Sequence, residues 1–288
     1  MVSSSYWLDT ERTRSFPVLQ STEEVDVAIV GAGVTGITTA YLLSCAGFKV
    51  ALIERDKIAN ADTGHTTAHL TYVTDTRLQD LVSDLGQERA RDVWHAGQVA
   101  ISEIEKIVKQ ESIDCHFSRV PGYLIRCLDG KCSKSMEKFI EEIKLAKQLD
   151  FDASLECSVP IFNTYGIRFA DQAKFHPLKY LYRLVESIAS KGGLIFEHTQ
   201  VEKVDEEPLT IHTAQGKINC QRLIIVTHSP MNRMPAHLAW LVARCKLQST
   251  VRALSVIQLA LDLWRAVKYQ DLMPIVGLEE LNFLRERM

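Results

Sequence analysis

The sequence has no run of basic residues long enough to track a phosphate backbone. Its 33 Lys and Arg stand against 36 Asp and Glu in 288 residues, for a formal net charge of −3 and a pI near 6.3. Such a balance makes nucleic acid a poor partner. It has no C-x-x-C pair either. The seven cysteines, at 45, 115, 127, 132, 157, 220 and 245, are odd in number and scattered, which argues against a disulfide frame and suits the reduced thiols of a cytoplasmic protein. No long hydrophobic run appears. The longest late apolar stretch, Ala253–Leu261, lies between Arg252 and Asp262 and is too short to span a bilayer. The opening MVSSSYWLDTERTRSFP has no apolar core of the kind a secretory signal needs. What is present is ordinary globular material, 46% hydrophobic and 24% charged, enough for one large or two moderate cores.

The most informative stretch is 25–54, VDVAIVGAGVTGITTAYLLSCAGFKVALIE. Val25, Val27, Ile29 and Val30 predict a short strand covered on both faces. Gly31, Gly33 and Gly36 follow in G-x-G-x-x-G spacing, which serves a tight turn, close approach of backbone to a pyrophosphate, and close packing of helix on strand. The helix that follows aims its unpaired N–H groups at the phosphates. Phe48–Ile53 predicts the second strand, and Glu54, eighteen residues after Gly36, lies where a carboxylate meets ribose hydroxyls. A βαβ unit with these parts binds FAD or NAD in preference to NADP; the unit alone does not separate the first two.

Beyond Glu54 a hydroxyl-rich loop carries Thr63, Gly64, His65, Thr66, Thr67 and Ala68. Its threonines are placed either to hydrogen-bond a phosphate or ring edge or to cap the next helix. Residues 77–85 and 87–112 predict helices, the second with Trp94, Gly97, Ile101, Ile104 and Val108 as one packing stripe. Val120–Cys127 predicts a strand, and 134–149 a helix whose apolar side is Met136, Phe139, Ile140, Ile143 and Ala146. After mixed strand and loop over 151–170, His176-Pro177 opens a helix stopped at Gly192-Gly193. Strands follow at Leu194–Glu197, Thr199–Val204, Leu209–Thr213 and Lys217–Cys220. A last one, Arg222–Val226, ends at Thr227 and His228, where it can stand beside the glycine turn over the adenosine half of a dinucleotide. His228 reads as a structural histidine, since one at a strand end is usually that.

The glycine turn, Glu54, the T-G-H-T-T-A run at 63–68, the Pro177 helix with Gly193 and the strand ending at Thr227 come in the order of the D-amino-acid-oxidase-like FAD-dependent oxidoreductases, the glycine oxidase and sarcosine oxidase group. The opening Ser5-Tyr6-Trp7-Leu8-Asp9-Thr10 and the V-T-H-x-P run at 226–230 resemble more closely the bacterial branch whose flavin domain is followed by a Rieske iron–sulfur domain. The resemblance covers about residues 4–234. It implies FAD held non-covalently, with Gly31, Ala32, Gly33, Thr35 and Gly36 at the pyrophosphate and Glu54 at the adenosine ribose. It further implies Arg55 at the adenosine edge, Thr66, Thr67 and Ala68 on the ribityl or isoalloxazine side, and the backbone of Val201 at adenine. Thr63, His65 and Thr227 complete the candidate set. It also implies hydride transfer to flavin from the carbon beside an amine. No catalytic side chain is identified, and with no C-x-H paired with C-x-x-H no cluster or other metal is expected.

The expected fold class is therefore α/β: a Rossmann-like FAD-binding domain of parallel sheet and covering helices, interrupted by a mixed α+β substrate-side subdomain. The expected division is an N-terminal arm at 1–24, the FAD-binding domain at 25–76 and 171–234, an inserted region at 77–170, and a divergent helical tail at 235–288 that does not follow the family and whose apolar face could meet a protein partner. Function is expected to be FAD-dependent oxidation of a small amine or amino acid. A shortened, catalytically incomplete dinucleotide-binding protein is the alternative, and an NAD-dependent dehydrogenase a third.

Overall fold

The computed structural model describes residues 5–12, 14–125, 136–227 and 275–276. They form two compact units, with the chain passing from the first to the second at Thr67–Ala68 and returning at His176–Pro177.

The first unit is built on a seven-stranded sheet. Its strands are β1 (Thr22–Val30), β2 (Val50–Ile53), β7 (Leu194–Phe196), β8 (Val201–Glu206), β9 (Leu209–Thr213), β10 (Lys217–Ile225) and β11 (Ile275–Val276). The order is β7-β2-β1-β10-β9-β8, with β11 on β10. β7, β2, β1 and β10 run parallel, and β9 and β8 are antiparallel additions. All four residues of β2 are buried, as the unbroken apolar run of a doubly covered parallel strand requires. The helix α2 (Val34–Cys45) connects β1 to β2 and packs with α6 (Pro177–Ser190). Below the sheet, Leu19, Val25, Ala28, Ala51, Phe196, Ile211, Ile218 and Leu223 belong to one apolar core. A short helix α1 (Tyr6–Thr10) precedes β1.

One expectation is corrected in this unit, and another lies almost wholly outside the described residues. The strands expected at Lys217–Cys220 and Arg222–Val226 are one, because β10 pairs with β1 along its whole length, from Thr22 opposite Lys217 to Val30 opposite Ile225. Gln221, the residue between the two expected strands, lies between Cys220 and Arg222, both paired with β1, and its side chain donates to Asp26 Oδ1 at 3.4 Å, so it does not end the strand. The tail, expected to be helical, lies outside the described residues except for Ile275–Val276, which form strand parallel to β10.

The second unit holds a four-stranded antiparallel sheet of β3 (His69–Leu70), β6 (Gly166–Lys174), β4 (Ser118–Ile125) and β5 (Ala153–Glu156). Its helices are α3 (Leu78–Leu85), α4 (Gln87–Gln110) and α5 (Met136–Gln148). Trp94, Gly97, Ile101 and Ile104 of α4 are buried as their spacing predicts, and Ile107 takes the place expected of Val108. Trp94 stands edge-on to Tyr72, Phe151 and Phe169, at centroid distances of 5.7, 5.1 and 5.5 Å. Such edge contacts set the positive rim of one ring against the negative face of another.

α5 departs from its predicted stripe. Met136 and Ile140 are 37% and 38% exposed, while Glu142 is 2% exposed. The reason is a helix end. α3 begins without a capping side chain of its own at Arg77, and the Glu142 carboxylate accepts the Leu78 N–H at 2.9 Å. A charge at a helix start satisfies amides that have no partner within the helix. Burial pushes the Glu142 carboxyl above its ordinary value, with the Leu78 amide pulling the other way.

Candidate functional site

The site is assembled at the carboxyl ends of β1, β2 and β10, where three chain segments meet around the start of α2. Gly31 ends β1 with φ +106°, a left-handed conformation that side chains avoid. Its N–H donates to Ile53 O at 2.8 Å, and Val226 N–H donates to Val30 O at 2.9 Å. The glycine turn is thus tied to β2 on one side and β10 on the other.

The three glycines are not equivalent. A Cβ on Gly31 would lie 2.8 Å from Val226 O and 3.3 Å from Thr227 N, and one on Gly36 would overlap Gly31 O. Both are required by the chain's own backbone. Gly33 is different. Its φ of −82° and ψ of −171° are open to any residue, and a Cβ there would meet Thr63 Oγ1 alone, at 3.3 Å. Among the described residues no backbone atom stands in the way of a side chain at Gly33; the one close neighbour is the Thr63 hydroxyl, which would have to give by a few tenths of an ångström.

Gly33 is also the N-cap of α2, and it supplies no capping side chain; the helix has no acid in its first turn. Of its first-turn amides, that of Val34 donates to Thr63 Oγ1 at 3.3 Å. Thr35 is half-buried there and Gly36 is buried. No acid of α2's own first turn offsets its positive end, and the Glu54 carboxylate is bonded one residue ahead of the cap, at the Ala32 N–H. That combination fits an external diphosphate.

Glu54 stands half-buried at the end of β2. One carboxylate oxygen accepts the Ala32 N–H at 2.9 Å and the other accepts the Asp56 N–H at 3.1 Å. A carboxylate has about four acceptor positions, so lone pairs are left for ribose hydroxyls. Thr199 N–H donates to Glu54 O, and His198 N–H to Asp56 O, both at 2.9 Å. These bonds draw the segment leading into Val201 alongside Glu54. Val201 itself opens β8 with its side chain in the core.

The remaining candidates divide. Thr63 is brought to the turn by its bond to Val34, and Thr227 by its closeness to Gly31. The His65 ring faces its own loop, with Nδ1 3.0 Å from Ala61 O. Thr66 accepts the indole N–H of Trp7 on its carbonyl at 2.7 Å. Thr67 and Arg55 are exposed. Ala68, buried with φ +58°, is the first residue of the second unit. His228 lies outside the described residues. Among the described residues no group of three or more His, Cys, Asp or Glu is placed to hold a metal ion, and no helix is long and apolar enough to cross a membrane.

Sequence reasoning missed two supports of this site. Glu197, 2% exposed, accepts the Ile58 N–H at 3.0 Å and the Phe16 N–H at 2.9 Å, fixing the loop after Glu54 and the N-terminal segment together. A lone acid closing the apolar run Leu194–Phe196 was the available signal. Trp7 stands out in sequence as an aromatic able to anchor the polar N-terminal arm, but its bond to Thr66, 59 residues away, has no local signal.

Comparison with known proteins agrees with this geometry. The family model described as FAD dependent oxidoreductase, DAO, matches residues 26–251. The putative Rieske 2Fe-2S iron-sulfur protein YhfW of Bacillus subtilis is 35% identical over 228 residues, covering 78% of this chain and 44% of that protein. Gamma-glutamylputrescine oxidoreductase of Escherichia coli is 24% identical over 233 residues, covering 77% of this chain and 53% of that protein. Glycine oxidase from Geobacillus kaustophilus shares the fold with a TM-score of 0.56 at 14% identity, over 71% of this chain and 55% of that one. An L-amino acid deaminase from Proteus myxofaciens does so at 0.58 and 17%, over 78% and 49%. The chain spans about half the length of the curated relatives it matches.

Proposed function

The chain belongs to the DAO family of FAD-dependent oxidoreductases, and from that membership together with the bare backbone at Gly33 we propose that it oxidises a small amine or amino acid by hydride transfer to flavin. FAD, not NAD, is the cofactor of the family. The Gly33 observation carries the reading for this chain, because its φ and ψ are open to any residue and, among the described residues, only the movable Thr63 hydroxyl crowds a side chain there. In the proposal Gly31, Ala32, Gly33, Thr35 and Gly36 line the pyrophosphate, Glu54 accepts the ribose hydroxyls, and Val226–Thr227 closes over the turn. Arg55 and the main chain at Val201 flank the adenosine, and Thr63, Thr66, Thr67 and Ala68 serve the flavin side, with His65 bracing their loop. When bound, FAD supplies the hydride acceptor; the protein's part is to bind, orient and exclude water. The substrate class is drawn from relatives named as oxidising or deaminating amino acids and a substituted amine.

The test is the absorbance spectrum of the purified protein, followed by thermal melting with and without added FAD. Flavin absorbance and a rise in melting temperature that grows with FAD concentration are expected. A colourless protein that FAD does not stabilise contradicts the reading. Bleaching of the flavin band under anaerobic conditions by one of a panel of amino acids and small amines tests the substrate class. Bound flavin that none of the panel reduces would restrict the function to cofactor binding.

A further inference from the structure

Short as it is, α1 is closed by its own bonds. Ser5 Oγ accepts the Trp7 N–H at 3.3 Å, Ser5 O accepts the Asp9 N–H at 3.0 Å, and Thr10 Oγ1 donates to Tyr6 O at 2.7 Å. Its side chains reach the hydroxyl-rich loop twice. Trp7 Nε1 donates to Thr66 O at 2.7 Å. Leu8 packs on the loop so closely that a Cβ on Gly64 would lie 3.2 Å from Leu8 Cδ2 and 2.9 Å from Ala59 O. The same loop is held at its other end by Thr63, whose Oγ1 accepts the Val34 N–H. It is therefore clamped between α1 and the start of α2.

The clamp has a directional consequence. A trans peptide is planar, and its C=O and N–H point in opposite directions. The carbonyl of Thr66 and the N–H of Thr67 belong to one peptide, so drawing the carbonyl toward the Trp7 indole turns the Thr67 N–H away from the arm. Thr66 is extended, with φ −78° and ψ 160°, and Thr67 is exposed, so no helical bond redirects that amide.

Resting on the reading of the preceding subsection, we infer that Trp7 is a positioning residue for the cofactor: its indole N–H fixes the Thr66–Thr67 peptide so that the Thr67 N–H is presented as a donor to the polar edge of the flavin. Trp7 touches no reacting atom in this arrangement. It acts through the peptide it holds, and Leu8 seats the arm against the loop.

Trp7→Phe keeps an aromatic ring and removes the donor. The apo-protein of this variant is titrated with FAD, the absorbance envelope of the bound flavin is recorded, and the apo-protein is melted. A weakening of FAD binding by about 5- to 10-fold, the worth of one hydrogen bond, is expected together with a displaced flavin band and a drop in apo melting temperature no larger than that of Leu8→Ala. Leu8→Ala, which loosens the arm while keeping the indole, is expected to weaken binding less and to leave the band where it is. A Trp7→Phe protein that binds FAD within twofold of the wild type with the same band overturns the inference alone. Loss of flavin in both variants only in step with a lowered apo melting temperature also overturns it, since that is a structural role. A wild type that takes up no FAD overturns the functional reading, and this inference with it.

Discussion

Two helices in this protein begin with the same electrostatic problem and solve it differently. α3, in the second unit, has its first amide met by the buried carboxylate of Glu142. α2, in the first unit, has no acid in its first turn and a glycine at its cap. One positive helix end is met by a carboxylate of the chain, and the other, in the reading proposed above, by a diphosphate from outside it. The difference teaches where to look for a ligand. A helix start closed by the chain's own anion needs no ligand, and one with no acid in its first turn, capped by a residue whose φ and ψ any side chain can adopt, is where we propose one.

The largest effect that would break this comparison lies next to the site. Gly36→Ala places a methyl group onto Gly31 O, and overpacking against backbone leaves no side chain to yield. The first unit is expected to lose roughly 3 kcal/mol or more, seen as a large drop in melting temperature whether or not FAD is added. A variant that melts like the wild type would show the two strands of backbone to be less closely apposed than described.

Opening the closed helix is the next step. Glu142→Ala leaves the Leu78 amide buried without its acceptor, for an expected loss of about 1–3 kcal/mol, read by thermal or urea unfolding. FAD binding is expected to be unaffected in the folded protein, because Glu142 belongs to the second unit and holds α3. A loss of FAD affinity out of proportion to stability would mean that the two helix ends are not independent.

The smallest effect is a pH dependence. Burial raises the Glu142 carboxyl from its ordinary value of 4.5. A raised acid binds its proton more tightly folded than unfolded, so its favourable contribution is full below about pH 4.5 and is lost as pH rises through the raised value. The wild type is therefore expected to lose stability relative to Glu142→Gln as pH climbs from that range toward neutrality. A difference in melting temperature that stays constant with pH would show that Glu142 does not titrate above its ordinary value.

The two helix ends also show what a sequence discloses. The βαβ unit was legible because its signals are local: an apolar run, glycines at fixed spacing, and an acid ending the next strand all lie within 25–54. The packing stripe of α4 was legible for the same reason, since Trp94, Gly97, Ile101 and Ile104 repeat with the helix. What Glu142, Glu197 and Trp7 bond to was not. Their partners lie 64, 139 and 59 residues away in the chain, and a contact of that reach leaves no periodic trace. α5 was misjudged at Met136 and Ile140 because periodicity assigns the buried face to apolar residues, and here a carboxylate outranked them by satisfying another helix. β10 was split at Gln221 because alternation does not reveal that pairing with a neighbouring strand continues on either side of it.

The most direct test converts one helix end into the other. Gly33→Asp puts a carboxylate at the cap of α2, at a φ and ψ that accept it, so that the protein closes this end from within as Glu142 closes α3. Melting of the apo-protein and titration with FAD are measured together. The account predicts a folded apo-protein of near wild-type stability, since aspartate's better capping offsets the 3.3 Å contact of its Cβ with Thr63 Oγ1, with FAD binding lost. Undiminished FAD binding by a folded Gly33→Asp protein would contradict it.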